Sequence, residues 1–126
     1  SWRNMDIGFK GSFSKPKNID ELSSLLFKEG EKAVHSMLFG KTEIKTIGVI
    51  SGGAGGDVWQ AVKENLDLYI TGEISHDLYH YVKENKISVI AGGHYYTETF
   101  GLKKLMEKIQ NELQIPGVFL DIPTNM

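Results

Sequence analysis

The sequence contains no cysteine. Disulfides, thiolate metal sites, iron–sulfur clusters and cysteine nucleophiles are therefore excluded, and any metal must sit on nitrogen and oxygen donors. No apolar run approaches the roughly 20 residues needed to cross a bilayer, and Ser1-Trp2-Arg3-Asn4-Met5-Asp6 lacks the apolar segment of a signal peptide. No membrane association is expected, and the chain reads as cytoplasmic. Neither charge sign is in surplus, since 14 Lys and Arg face 16 Asp and Glu for a net charge of -2. A chain without a basic excess is not expected to have nucleic acid as its main partner. Proline is scarce at three residues, and each marks a break: Pro16 a loop, Pro116 a turn, Pro123 the end of the last extended run.

What is present is the composition of an ordinary globular domain, 40% hydrophobic and 24% charged over 126 residues. A chain of this length buries roughly two-thirds of the surface its unfolded form exposes. One domain spanning residues 1–126 is expected. Because the chain opens on Ser1 rather than Met, it is expected to be part of something longer.

Asn18-Ile19-Asp20-Glu21 carries a capping residue followed three positions later by a Glu able to bond back, and Ile19, Leu22, Leu25 and Leu26 share one helical face. A helix to about Gly30 is predicted. Ile7 to Gly11 reads as a short extended piece, and Ala33 to Phe39 as a strand. From Ile44 a rhythm sets in, with strands at Ile44–Ile50, Leu68–Ile70, Ile87–Ala91 and Val118–Ile122. Helices are predicted at Asp57–Asn65, from a Ser75 cap to Asn85, and from Thr97 or Thr99 to Leu113. Trp59, Tyr69, Phe100 and Phe119 fall at core positions. Strands alternating with helices of this length predict an α/β fold, a three-layer α/β/α arrangement on a largely parallel or mixed sheet built from βα units. Right-handed crossovers then bring every strand-to-helix loop to one sheet edge, where ligands bind.

Three such loops carry distinctive chemistry. Ser51-Gly52-Gly53-Ala54-Gly55-Gly56-Asp57 lets the backbone approach a ligand closely. It is neither a dinucleotide fingerprint nor a Walker loop, and substrate or phosphate contact by Gly52, Gly53, Gly55 and Gly56 stands beside a simple tight turn as its reading. Thr71-Gly72-Glu73-Ile74-Ser75-His76 offers Glu73 and His76 as acid–base or orienting groups. His76 and His80, spaced i and i+4, suggest either a metal clamp or a solvated face. Gly92-Gly93-His94-Tyr95-Tyr96-Thr97-Glu98 sets His94 four residues before Glu98, an imidazole and a carboxylate on one helical face. That pair suits Zn, Mn or Fe. It equally suits a hydrogen-bonded loop histidine beside a helix-start carboxylate. Tyr95 and Tyr96 are placed to wall a pocket.

Taken in order, SGGAGGD, DLYITGEISHD, AGGHYYTE and FLDIPTN resemble the C-terminal half of the Nif-three-like family of dinuclear-metal-centre proteins, the GTP cyclohydrolase type 2 homologues. The likeness covers Ile44 to Asn125 closely and Asp6 to Phe39 loosely. It implies two intertwined α/β/α halves, a toroidal homohexamer, and two divalent metal ions per complete subunit. It also implies that His94 and Glu98 are metal ligands, that Gly52 to Gly56 and Thr71 to Glu73 line the same region, and that His76 lies close by. The family's further ligands, a His-His motif and a later Asp in the N-terminal half, have no counterpart before His94, and the solitary His35 sits in an apolar run. A metal centre built from this chain alone is therefore expected to be incomplete, and the chain to be the C-terminal portion of a two-lobed protein.

Three function classes follow. One is a metal-dependent hydrolase acting on a small molecule or nucleotide, with Glu73 or His76 moving protons. Another is a noncatalytic metal-binding scaffold or regulatory homo-oligomer. The third is a metal-free nucleotide-binding module working through Gly52 to Gly56.

Overall fold

A computed structural model describes residues 3, 5–27 and 33–124. In chain order it forms strand β1 (Phe9–Asn18), helix α1 (Ile19–Leu26), β2 (His35–Leu38), β3 (Glu43–Val49), α2 (Val58–Lys63), β4 (Leu68–Thr71), α3 (Tyr79–Glu84), β5 (Ser88–Ala91) and α4 (His94–Leu113). Single 3-10 turns at Gly55–Asp57 and His76–Leu78 lead into α2 and α3. The strands form one sheet in the order β1-β3-β4-β5-β2. β3, β4 and β5 run parallel, while β1 and β2 pair antiparallel at the two edges.

The centre of the sheet follows from its sequence. All four residues of β4 and all four of β5 are buried, as expected of short strands covered on both faces. Side chains alternate across them. Tyr69 and Val89 point to the face where Val58, Ala61 and Val82 arrive from α2 and α3. Leu68, Ile70 and Ile90 point the other way and pack with Ile44 and with Leu22 of α1. Three layers result. Each fully buried aliphatic side chain contributes roughly 1.5–3 kcal/mol to holding them together.

The capping box at the start of α1 forms as its sequence predicts, with the Glu21 amide donating to Asn18 Oδ1 at 2.8 Å and the Asn18 amide donating to Glu21 Oε2 at 3.3 Å. The helix is shorter than predicted and ends at Leu26; Gly30 lies outside the described residues. Asp67, just before β4, ties down the start of β3. Its carboxylate accepts from the Lys45 and Thr46 amides, the Thr46 hydroxyl and the Lys41 ammonium.

Four expectations need correction. Residues around Pro16 form no loop: β1 runs through them for ten residues, with an irregularity in register between Ser12 and Lys17. An edge strand tolerates this because a missing amide there leaves no ladder bond unmade. Val118–Ile122 joins no strand, and Val118 and Leu120 are 84% and 75% exposed. Of the four aromatic residues assigned to the core, Tyr69 alone is buried. Trp59 and Phe100 are exposed, and Phe119 lies half-buried beneath the Lys103 ammonium. Finally, α4 begins at His94, three residues before Thr97, which puts the imidazole on the first residue of the helix.

Candidate functional site

The parallel strands deliver three loops to one edge, and Gly52 joins them. Its carbonyl accepts from the Gly72 amide at 3.0 Å, the Glu73 amide at 3.1 Å and the Thr71 hydroxyl at 3.3 Å. Its amide donates to Thr97 Oγ1 on α4 at 3.0 Å. Thus the loop after β3 is stitched to the loop after β4 and to the helix after β5. The Gly72 carbonyl in turn accepts from the Gly93 amide at 2.8 Å. Gly72 permits this approach, because a Cβ there would lie 2.6 Å from the Gly52 oxygen and 2.9 Å from the His94 Cα. Deeper in, the buried Tyr69 hydroxyl donates to the Ala54 carbonyl at 2.6 Å and anchors the glycine loop from below. Burial pushes that phenol well above its ordinary pKa.

On this frame sits a row of three side chains. Glu73 Oε1 lies 2.6 Å from His94 Nδ1, and Glu98 Oε1 lies 3.2 Å from His94 Nε2. The imidazole is thereby held between two carboxylates, and its side chain is 42% exposed. The hydrogen bond that the imidazole donates to Glu73 raises its pKa above the usual histidine value; burial opposes the rise, and the charges of Glu73 and Glu98 add to it. The helical i, i+4 spacing of His94 and Glu98 accounts for one contact, and the stitched loops account for the other.

The predicted site residues are not all gathered here. Gly52 abuts the row: its φ is +68°, and a Cβ would stand 2.6 Å from Glu98 Oε1 and 3.2 Å from His94 Nε2. Gly53 comes next, where a Cβ would lie 3.5 Å from His94 Cε1. Gly55 packs against the backbone of Glu73 and Ile74, while Gly56 faces open space. Thr71 is buried, its hydroxyl directed at the Gly52 carbonyl. His76 lies on the 3-10 turn ahead of α3 and stacks on Tyr79 at 6.4 Å, and His80 meets the edge of that same ring at 5.4 Å. Tyr95 reaches the C-terminal segment, donating to Asp121 Oδ1, and Tyr96 reaches α1, donating to the Leu26 carbonyl and stacking on Phe27. The role of Thr97 as the acceptor for Gly52 was not read from the sequence, since a threonine hydroxyl near a helix start ordinarily bonds its own turn.

His94 Nε2 and Glu98 Oε1 are separated by 3.2 Å, close to the roughly 3.3–3.6 Å between neighbouring ligand atoms of a tetrahedral ion bound at 2.0–2.2 Å. The side chain that Gly52 lacks leaves room beside both atoms. Two donors of the right type therefore fit. Among the described residues no group of three or more His, Asp or Glu side chains is arranged to hold an ion, and no helix is long and apolar enough to cross a membrane.

Comparison with known proteins agrees with this frame. Residues 3–125 match the family model described as Duf34/NIF3 (NGG1p interacting factor 3). A GTP cyclohydrolase 1 type 2 homolog of Treponema pallidum is 46% identical over 109 residues, covering 86% of this chain and 38% of that protein. A GTP cyclohydrolase 1 type 2 homolog of Pyrococcus abyssi is 39% identical over 126 residues, covering 99% of this chain and 50% of its own length. Among solved structures, the protein TTHA1606 from Thermus thermophilus superimposes with a TM-score of 0.75 at 32% identity, over 92% of this chain and 47% of that one. The protein ybgI, of unknown function, gives 0.79 at 25% identity, over 95% and 49%. The chain spans half or less of the length of these relatives. With its α/β fold, its mixed five-stranded sheet and a family match along nearly its whole length, the chain belongs to the Duf34/NIF3 family.

Proposed function

We propose that this chain supplies the histidine–carboxylate part of a divalent-metal centre, with His94 and Glu98 as ligands, in a metal-dependent hydrolase of the GTP cyclohydrolase 1 type 2 homolog kind. The observation that carries the reading is the 3.2 Å separation of His94 Nε2 from Glu98 Oε1 at an exposed helix start, beside a glycine that leaves the space open. Two ions per complete subunit, a homohexamer and a cytoplasmic setting belong to the same reading. The remaining ligands come from outside the residues described above.

When bound, such an ion makes a coordinated water a nucleophile near neutral pH and polarises a phosphoryl or ring-amide oxygen. The chain's own contribution is positional. His94 and Glu98 present one nitrogen and one oxygen on adjacent turns of α4, where helical geometry fixes their spacing. Gly52 and Gly53 keep the approach to both clear, so a nucleotide or other phosphate-bearing small molecule can lie across the loop. Thr97 and Thr71 hold that loop in place through its backbone.

The test is elemental analysis of purified protein, wild type against His94→Ala and Glu98→Ala. Loss of the bound metal in both variants is expected, and unchanged metal content in His94→Ala would overturn the assignment. Metal-loaded wild type is then assayed for hydrolysis of GTP and simple phosphoesters. Metal retention without any turnover would favour a noncatalytic scaffold over a hydrolase.

A further inference from the structure

We infer that Glu73 is a positioning residue that locks His94 in its Nδ1–H tautomer and so turns a bare Nε2 toward the cation it shares with Glu98. The inference rests on the metal-binding reading above and adds the group that orients the ligand. An imidazole carries its two nitrogens on opposite sides of the ring. Glu73 occupies one side at 2.6 Å and Glu98 faces the other at 3.2 Å. A cation at Nε2 is therefore reached by Glu98 and not by Glu73. The carboxylate of Glu73 has a different task, accepting the Nδ1 proton.

The backbone around Glu73 is built for that task. Its amide is held by the Gly52 carbonyl, the amide before it by the same oxygen, and the loop after β5 is bonded to the Gly72 carbonyl. The short Thr71-Gly72-Glu73 run thus places a buried hydroxyl, a side-chain-free close approach and a carboxylate in three consecutive positions, each directed at a neighbouring loop. A hydrogen bond to a carboxylate fixes the ring orientation of a ligating histidine and makes its free nitrogen more basic, and removing such a partner typically weakens metal affinity about 10–100-fold.

The experiment compares wild type, Glu73→Ala, Glu73→Gln and His94→Ala in two measurements on the complete protein, with the segment that supplies the remaining ligands present. Zn²⁺ and Mn²⁺ affinities are measured by competition with a chromophoric chelator. The His94 tautomer is read by long-range ¹⁵N–¹H NMR of the metal-free protein at a pH where the ring is neutral. Wild type should show Nδ1–H. Glu73→Ala should shift the ring toward Nε2–H and bind metal about 10–100-fold more weakly, and Glu73→Gln, whose amide oxygen still accepts from Nδ1–H, should recover the tautomer and most of the affinity. An unchanged tautomer and affinity in Glu73→Ala would overturn the inference. So would a complete loss of metal in both Glu73 variants, which would make Glu73 a ligand. Metal retained by His94→Ala, or no uptake by wild type, overturns the metal reading itself, whereas loss in His94→Ala with Glu73→Ala unaffected overturns only the role of Glu73.

Discussion

Replacing Asp67 by Asn should unfold the protein more readily, and the cost can be worked from the contacts. Burial alone would raise the Asp67 pKa, but the hydrogen bonds from Lys41, Thr46 and Lys45 outweigh it and lower it from 3.8 to about 2. A carboxylate held that far below its unfolded value contributes about 2.5 kcal/mol to stability at neutral pH. Of its partners, Lys41 is largely exposed and is worth at most about 1 kcal/mol. Most of the effect lies with the two amides and one hydroxyl of Lys45 and Thr46, at 2.9 to 3.0 Å. In Asp67→Asn the oxygen facing Lys45 and Thr46 still accepts but carries no charge, and the NH2 group faces the Lys41 ammonium; a loss of roughly 2–3 kcal/mol is expected, equivalent to a drop in Tm of about 6–15 °C for a chain of this size. Because the folded-state pKa is depressed, the contribution is fully present above pH 4 and is lost as pH falls toward 2. Urea unfolding followed by tryptophan fluorescence at several pH values between 7 and 2 measures both quantities. The variant should lose stability at pH 7 and also show a flatter acid limb. A difference under about 0.5 kcal/mol at pH 7, or an acid limb identical to wild type, would refute the assignment of Asp67 as the clamp between β3 and β4.

Gly52→Ala should leave the sheet folded but displace the Glu98 carboxylate, since its methyl group would meet Oε1 and the backbone sits at positive φ; a strain cost of about 1 kcal/mol in unfolding, with loss of metal on elemental analysis, is expected. Wild-type metal content would contradict the placement. In the metal-free protein the His94 pKa should lie above that of a free histidine and fall in Glu73→Gln, as read by ¹H–¹³C NMR titration. Because this pKa is raised, the stabilisation from the charged His94–Glu73 contact is present below the unfolded histidine value and disappears as pH climbs through the folded one. No difference between the two titrations would remove Glu73 as the cause. Tyr69→Phe strands the Ala54 carbonyl without its donor and should cost about 1–2 kcal/mol by urea unfolding, and a neutral effect would show that the glycine loop does not depend on this anchor.

The central sheet was legible because β4 and β5 are short, mostly apolar runs stopped by glycine, a pattern that suits a doubly covered parallel strand. Asn18 and Glu21 announced α1 through chemistry confined to four residues. The antiparallel edges were not legible, since whether β1 and β2 turn back on the sheet depends on pairing with residues far away in the chain. Val118–Ile122 has strand composition yet joins no strand, because composition reports what a segment could pair with and not whether a partner edge is near. At the site, the His94–Glu98 contact followed from helical spacing alone. The Glu73–His94 contact did not, because it spans 21 residues and depends on two loops being bonded to the same glycine.

Gly52, Glu73 and His94 arrive on loops from three different βα units, and no local stretch of chain can assemble them. The two proposed ligands, His94 and Glu98, lie four residues apart on one helix, so what the fold adds to them is Glu73 behind the imidazole and the open space at Gly52. On the proposed metal reading, an ion that binds only the folded form and is supplied at a hundred times its Kd would raise stability by about 2.7 kcal/mol. A melting curve recorded with and without the ion thus reports on how well β3, β4 and β5 are aligned, as much as on the ion itself.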